Sequence, residues 1–234
     1  MEKKLISLEQ RKRQAQKEKE DYIRMMNDVK YDFIVPLFKV DHYFLTPKQV
    51  KENFAWFIAK MPERIEYLKN RCAQDLNISV KRLDLSPESL ILIWKWYLQT
   101  AKIEKTPADQ VEEMEKQWGF LGKESKFLQY EQLTVASHMI LWDIGMYLGE
   151  VFTTNYRDII TWNYFINPKS DINARRPILV GFYHKNPQTG NLFAMPFDPI
   201  VVILPVSHKI IDNVQKESDL FDLYVRLKKD IHTE

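Results

Sequence analysis

Residues 129–155 read QYEQLTVASHMILWDIGMYLGEVFTTN, and the fold turns on how they are read. At the helical period of about 3.6 residues, Leu133, Ala136, Ile140, Ile144, Tyr147 and Val151 fall on one stripe. Val135, Met139, Trp142, Met146 and Gly149 fall on a second stripe, roughly a third of a turn away. A helix that is apolar over so much of its circumference belongs inside a domain, with neighbours on several sides. Its length of about 39 Å spans a small domain. Gly145 and Gly149 lie four residues apart on one side. Each costs about 1 kcal/mol relative to alanine in a helix interior, which close approach of another backbone would offset. Asn155 is the expected left-handed stop.

Two acids ride on this helix. Asp143 and Glu150 are seven residues apart and so project along nearly one line, between the apolar stripes. A carboxylate there must pair, titrate upward or reach solvent. Arg157, Arg175 and Arg176 are the candidate partners for a structural ion pair. The alternative is a catalytic or ligand-binding carboxylate.

Ser/Thr-Pro starts punctuate the rest of the chain. Thr46-Pro47, Ser86-Pro87-Glu88 and Thr106-Pro107 each place a capping residue before a proline suited to a first helical turn. The helix after Thr46 carries Val50, Phe54, Phe57, Ile58 and Met61, then Ile65, Leu68, Cys72 and Leu76, with Pro62 expected to kink or restart it. Leu90, Ile93, Trp94, Tyr97 and Leu98 form the inner face of the next. Val111, Met114 and Trp118 give the helix after Thr106 its apolar side, and Gly119 or Gly122 ends it. Residues 31–44 are aromatic, broken by Pro36, and read as an extended connection against the core.

After residue 155 the period changes. Residues 159–165 and 178–183 have strand composition, and the turn chemistry of 186–191 returns 192–195 as a hairpin. The valine-rich run 200–204 suggests a fourth strand, with a proline-started helix as the alternative. A last amphipathic helix covers 218–231. The fold class is α+β: an N-terminal helical layer around a long central helix, then a small, mostly antiparallel sheet and a C-terminal helix. The domain division is a charged helical extension over 1–30 and a single domain over 31–234.

Composition narrows the function classes. The 34 basic and 32 acidic residues nearly cancel, so no global charge drives the chain onto nucleic acid or anionic membrane. Cys72 is the single cysteine, which excludes an internal disulfide and makes a reducing cytoplasm the expected location. It lies on an apolar stripe, as a packing residue would. No apolar run is long enough to span a bilayer. The basic cluster Arg11, Lys12 and Arg13 could touch phosphate, but Glu18, Glu20 and Asp21 follow at once, so nucleic acid is not the expected partner.

Zinc-binding HExxH, paired CxxC, Walker, GxGxxG and GxSxG patterns are all absent from the sequence. The five histidines are scattered and none has a second histidine or a cysteine at helical spacing, so neither a metal nor a cofactor is expected. One polar cluster could assemble in space from Asp143, Glu150, Trp162, Arg175 and Arg176. A carboxylate and guanidinium backed by tryptophan suit an architectural lock better than a catalyst.

The run Leu83-Asp84-Leu85-Ser86-Pro87-Glu88-Ser89-Leu90, followed by Tyr147-Leu148-Gly149-Glu150 and then Trp162, resembles a pattern in uncharacterised bacterial proteins. Some of these are similar to immunity-type proteins of toxin systems. The resemblance covers roughly residues 83–199 and implies a helix, a tryptophan strand and a small sheet in that order, with no catalytic residue. The leading expectation is a cytoplasmic, non-enzymatic protein that binds a protein partner, with an immunity-like role. A hydrolase using Glu150 or Asp143 comes second, and a nucleic-acid-associated protein using the N-terminal basic helix third.

Overall fold

Thr46 opens the first helix by the expected route. The computed structural model describes residues 31–33, 37–38, 42–118, 129–168 and 171–231. The charged helix expected over 1–30 and the stop at Gly119 or Gly122 lie outside the described residues. Thr46 Oγ1 accepts from the Gln49 amide at 3.3 Å, and Gln49 Oε1 accepts from the Thr46 amide at 2.9 Å. These two bonds form a complete capping box at the start of α1 (Pro47–Leu76). The helix runs through Pro62 without interruption and ends at Asn77, which is left-handed at φ 52°. Val50, Phe57, Met61, Ile65, Leu68 and Cys72 are its buried stripe, and Cys72 packs as expected.

The other two Ser/Thr-Pro starts work differently. α2 (Ser89–Thr100) has no side-chain cap. Its approach is set by Asp84, whose Oδ1 accepts from the Ser86 amide at 3.0 Å, and by a tight first turn in which Ser89 donates to the Ser86 carbonyl. At α3 (Ala108–Trp118) the Thr106 hydroxyl is buried and has no hydrogen-bond partner among the described residues.

A short strand that the sequence reading did not foresee, β1 (Ile103–Lys105), pairs antiparallel with β2 (Glu131–Leu133). This ladder takes the first residues of the stretch read above as helix. Thr134 then caps α4 (Val135–Asn155), its hydroxyl accepting from the Ser137 amide at 3.2 Å. The central helix is therefore 21 residues long. It is continuous, and its first stripe is buried throughout. The second stripe is covered only from residue 143 onward: Met146 and Gly149 are buried, whereas Val135 is 59% exposed. Asn155 is not the left-handed stop. Its Nδ2 donates to the Val151 and Leu85 carbonyls, and Tyr156, at φ −134°, follows as the cap.

α5 (Pro199–His208) replaces the fourth strand with the proline-started helix. Asp198 Oδ1 accepts from the Ile200 amide at 2.9 Å, and Pro199 supplies the fixed φ of a first turn. A cap and a buried apolar groove beside α4 override the β propensity of Ile200, Val201, Val202 and Ile203. α5 lies so close to α4 that a Cβ on Gly145 would stand 2.5 Å from Ile200 Cγ1 and 3.1 Å from Ile200 Cα. α6 (Asp219–Lys228) closes the chain, with Leu220, Leu223 and Tyr224 buried and the Tyr224 ring 4.6 Å from that of Phe152.

The sheet component is spread over small ladders. β3 (Thr161–Asn163) pairs with β4 (Ile178–Val180), and β5 (Tyr183–Lys185) with β6 (Leu192–Ala194), both antiparallel. Gly181, at φ 106°, divides the expected 178–183 strand into β4 and β5. Six helices and three two-stranded antiparallel ladders among the described residues make the fold α+β. No described helix is long and apolar enough to cross a membrane.

Candidate functional site

Arg64 decides what Asp143 does. Asp143 faces inward from α4 with a side chain 1% exposed. Arg64 lies seven residues after Phe57 and four before Leu68, which places a cation on the buried stripe of α1. Its Nε donates to Asp143 Oδ1 at 3.1 Å and its Nη2 to Oδ2 at 2.6 Å, a two-pronged pair. The Tyr31 hydroxyl donates to the same Oδ2 at 2.6 Å. Arg64 also reaches the Asp32 carbonyl, and its guanidinium lies 4.7 Å from the Tyr67 ring centroid. Burial pushes the Asp143 carboxyl upward, while the bonds from Arg64 and Tyr31 pull it back. Burial first, and then the Asp143 charge, hold the Tyr31 phenol well above its ordinary range. Burial opposes the Arg64 charge, but the hydrogen bond and charge of Asp143 outweigh it and hold the guanidinium above its usual value.

Glu150, one turn from the end of α4, has a different neighbour. Its Oε1 accepts from Trp162 Nε1 at 2.8 Å and from Thr153 Oγ1 at 3.1 Å. Gly149 makes room for the same indole: a Cβ there would lie 2.0 Å from Trp162 Cζ2. The Trp162 ring also packs against Phe57, with centroids 5.1 Å apart.

The two arginines go elsewhere. Arg175, buried and left-handed at φ 66°, donates through Nη1 to the Tyr43 carbonyl at 2.8 Å and to the Leu45 carbonyl. Arg176 Nε donates to His42 Nε2 at 2.8 Å, and its Nη1 to Asp198 Oδ2 at 3.3 Å. Burial pushes the Asp198 carboxyl up, against the Ile200 amide and Arg176.

The five sequence-derived candidates therefore divide into three structural groups. Glu150 and Trp162 come together. Asp143 joins Arg64 and Tyr31, not Arg157, Arg175 or Arg176. The arginine pair fastens the turn at residues 42–45 and the cap of α5. Each carboxylate is an acceptor of bonds that hold elements together. Among the open clefts of the described residues are two that neither Asp143 nor Glu150 lines. One, of about 500 Å³, lies between α3 and the β1–β2 ladder, lined by Thr106, Val111, Glu112, Glu115 and Tyr130. The other, of about 370 Å³, opens at the start of α2 beside Arg82, Asp84 and Glu88. No group of three or more His, Cys, Asp or Glu is placed to hold a metal ion among the described residues.

The surface feature that the sequence reading missed is the β5–β6 arm. Every residue of both strands is exposed. Leu192 is 52%, Phe193 47% and Met195 43% exposed. The signal was present in the sequence: Leu192-Phe193-Ala194-Met195 is apolar at consecutive positions, without the polar alternation of a strand covered on one face only. Comparison with family models, curated proteins and solved structures returned no match.

Proposed function

We propose that this chain is a non-enzymatic protein-interaction protein that receives an extended segment of a protein along its β6 edge. The exposed β6 strand, Leu192–Ala194, which has no charged side chain, carries this reading. An isolated two-stranded ribbon is marginal in water and gains stability from a third strand or a cover. An apolar strand edge left open is also a known template for adding another strand. The engagement of Asp143 and Glu150 in structural bonds supports the same reading over a carboxylate hydrolase. A cytoplasmic location, suggested by the single buried cysteine, and an immunity-type role, suggested by the Leu83–Leu90 and Tyr147–Glu150 pattern, are the setting in which such binding would act.

The test is capture of partners by the whole chain, with and without the Phe193→Lys substitution. Complexes recovered by the unsubstituted chain should be lost from the Phe193→Lys protein while its thermal unfolding is unchanged. Partners that bind both proteins equally would refute the β6 edge as the docking element.

A further inference from the structure

The register of the arm shows which of its backbone groups lack partners. Tyr183 faces Ala194, His184 faces Phe193 and Lys185 faces Leu192. Asn186 donates to the Asn191 carbonyl at 2.8 Å, and Met195 donates to the Phe182 carbonyl at 2.8 Å. Hydrogen-bonded and non-hydrogen-bonded pairs alternate in an antiparallel ladder. His184 and Phe193 are thus a bonded pair, and the amides and carbonyls of Leu192 and Ala194 point away from β5. These outward groups have no hydrogen-bond partner among the described residues. The opposite edge, on β5, is partly covered: the Tyr183 amide donates to the Asp230 carbonyl at 2.7 Å, while the outward amide and carbonyl of Lys185 have no partner among the described residues but sit beside the Lys185 charge. β6 is the edge that is open without a charge.

We infer that β6 pairs edge to edge with β6 of a second copy of this chain, about a two-fold axis at Phe193, to form a four-stranded antiparallel sheet. This rests on the reading of β6 as a docking edge. Three features select a second copy. First, a two-fold antiparallel pairing sets a strand against itself, so any charge near the axis would meet its like. Residues 191–197 carry no charged side chain. Second, with the axis at Phe193, Leu192 of one copy stands opposite Ala194 of the other. Both outward amides and both outward carbonyls of each strand then find partners. The two Phe193 rings meet as a directly opposed, non-hydrogen-bonded pair, where side chains approach most closely. Third, the β5 edge is partly covered by residue 230 and carries Lys185, which discourages further strand addition, so the assembly stops at two copies.

The experiment uses the full chain, in sedimentation velocity from about 1 µM to about 500 µM. The weight-average mass should rise toward twice the 28.0 kDa of one chain. In Phe193→Lys, which sets two ammonium groups face to face, and in Ala194→Pro, which removes an outward amide, it should stay at that of one chain. A benzophenone amino acid placed at Phe193 serves as an independent readout, unaffected by the folding of either variant. Illumination of the purified chain should give a covalent dimer whose junction maps to residues 191–195 of the other copy. A single-chain mass at every concentration with no such junction overturns the inference, as does a dimer that survives Phe193→Lys. Illumination in cells separates this inference from the reading beneath it. Junctions at Phe193 to a different protein, with the purified chain monomeric, overturn the second-copy pairing and leave the docking edge standing. No junction to any protein overturns both.

Discussion

The seam between α1 and α4 and the β5–β6 arm treat polar groups in opposite ways. In the seam, Asp143 is 1% exposed and receives three hydrogen bonds, two from Arg64 and one from Tyr31, all supplied by the same chain. In the arm, Leu192 and Ala194 turn complete backbone donors and acceptors outward with none among the described residues. The seam is internally satisfied and therefore structural. The β6 edge is unsatisfied among the described residues, which is the ground for the proposal that a strand docks there. Charged residues in this protein mark where it is finished, and an uncharged strand marks where it is open.

Arg64 is the most sensitive point of the seam. Arg64→Ala leaves the Asp143 carboxylate buried beside a void, and should cost about 3–5 kcal/mol in urea unfolding. Adding Asp143→Asn should restore a large part of that loss, because the amide carries no charge to strand. A loss below about 1 kcal/mol would show the seam to be open to water and end the contrast with the arm.

Gly149→Ala comes next. A methyl placed 2.0 Å from the Trp162 ring must displace the indole and weaken its bond to Glu150, at about 1–3 kcal/mol. Thermal unfolding and the tryptophan emission spectrum report both effects. An unchanged Tm with unchanged emission would mean that this junction is not tightly packed.

Acid should act on the α4–α5 contact through His208. Burial lowers the pKa of His208 at the end of α5, the nearby His138 on α4 lowers it further, and Asp212 opposes them. The unfolded chain binds this proton near pH 6.5, whereas the folded chain resists it until lower pH. Stability from this site is therefore complete above about pH 6.5 and falls as the solution is acidified below it. A His208→Gln protein should lose less Tm between pH 7.5 and 5.5 than the parent. An equal loss would assign the acid sensitivity to other groups. Phe193→Lys has the smallest expected effect on stability, within about 0.5 kcal/mol, because its side chain is exposed. A larger penalty would mean that the arm is part of the fold's own packing.

Local signals account for what was legible in the sequence. The stripes of α4, the Thr46 capping box, the 186–191 turn and the α+β order follow from residues close together in the chain. Asp143 and Glu150 could be singled out as inward-facing acids by period alone. Their partners could not, because Arg64 lies 79 positions from Asp143 and only the packing of α1 on α4 joins them. Arg64 itself was detectable as a cation on the Phe57–Met61–Leu68 stripe. The 200–204 run was misleading because β-branched residues outweigh one Asp-Pro cap until the groove beside α4 is known. Residues 131–133 became strand because their partner, β1, is set by a ladder about thirty residues distant.

The glycines at 145 and 149 also set different rules for sequence drift. At 149 the obstacle is an aromatic ring, so a smaller residue at 162 could accommodate an added methyl, and the two positions can change together. At 145 the obstacle includes the Ile200 amide nitrogen and Cα, each 3.1 Å away, which no trimming of the isoleucine removes. Compensatory change is open to the first site and closed to the second. Among divergent relatives of this chain, small residues should persist at 145 long after 149 and 162 have co-varied.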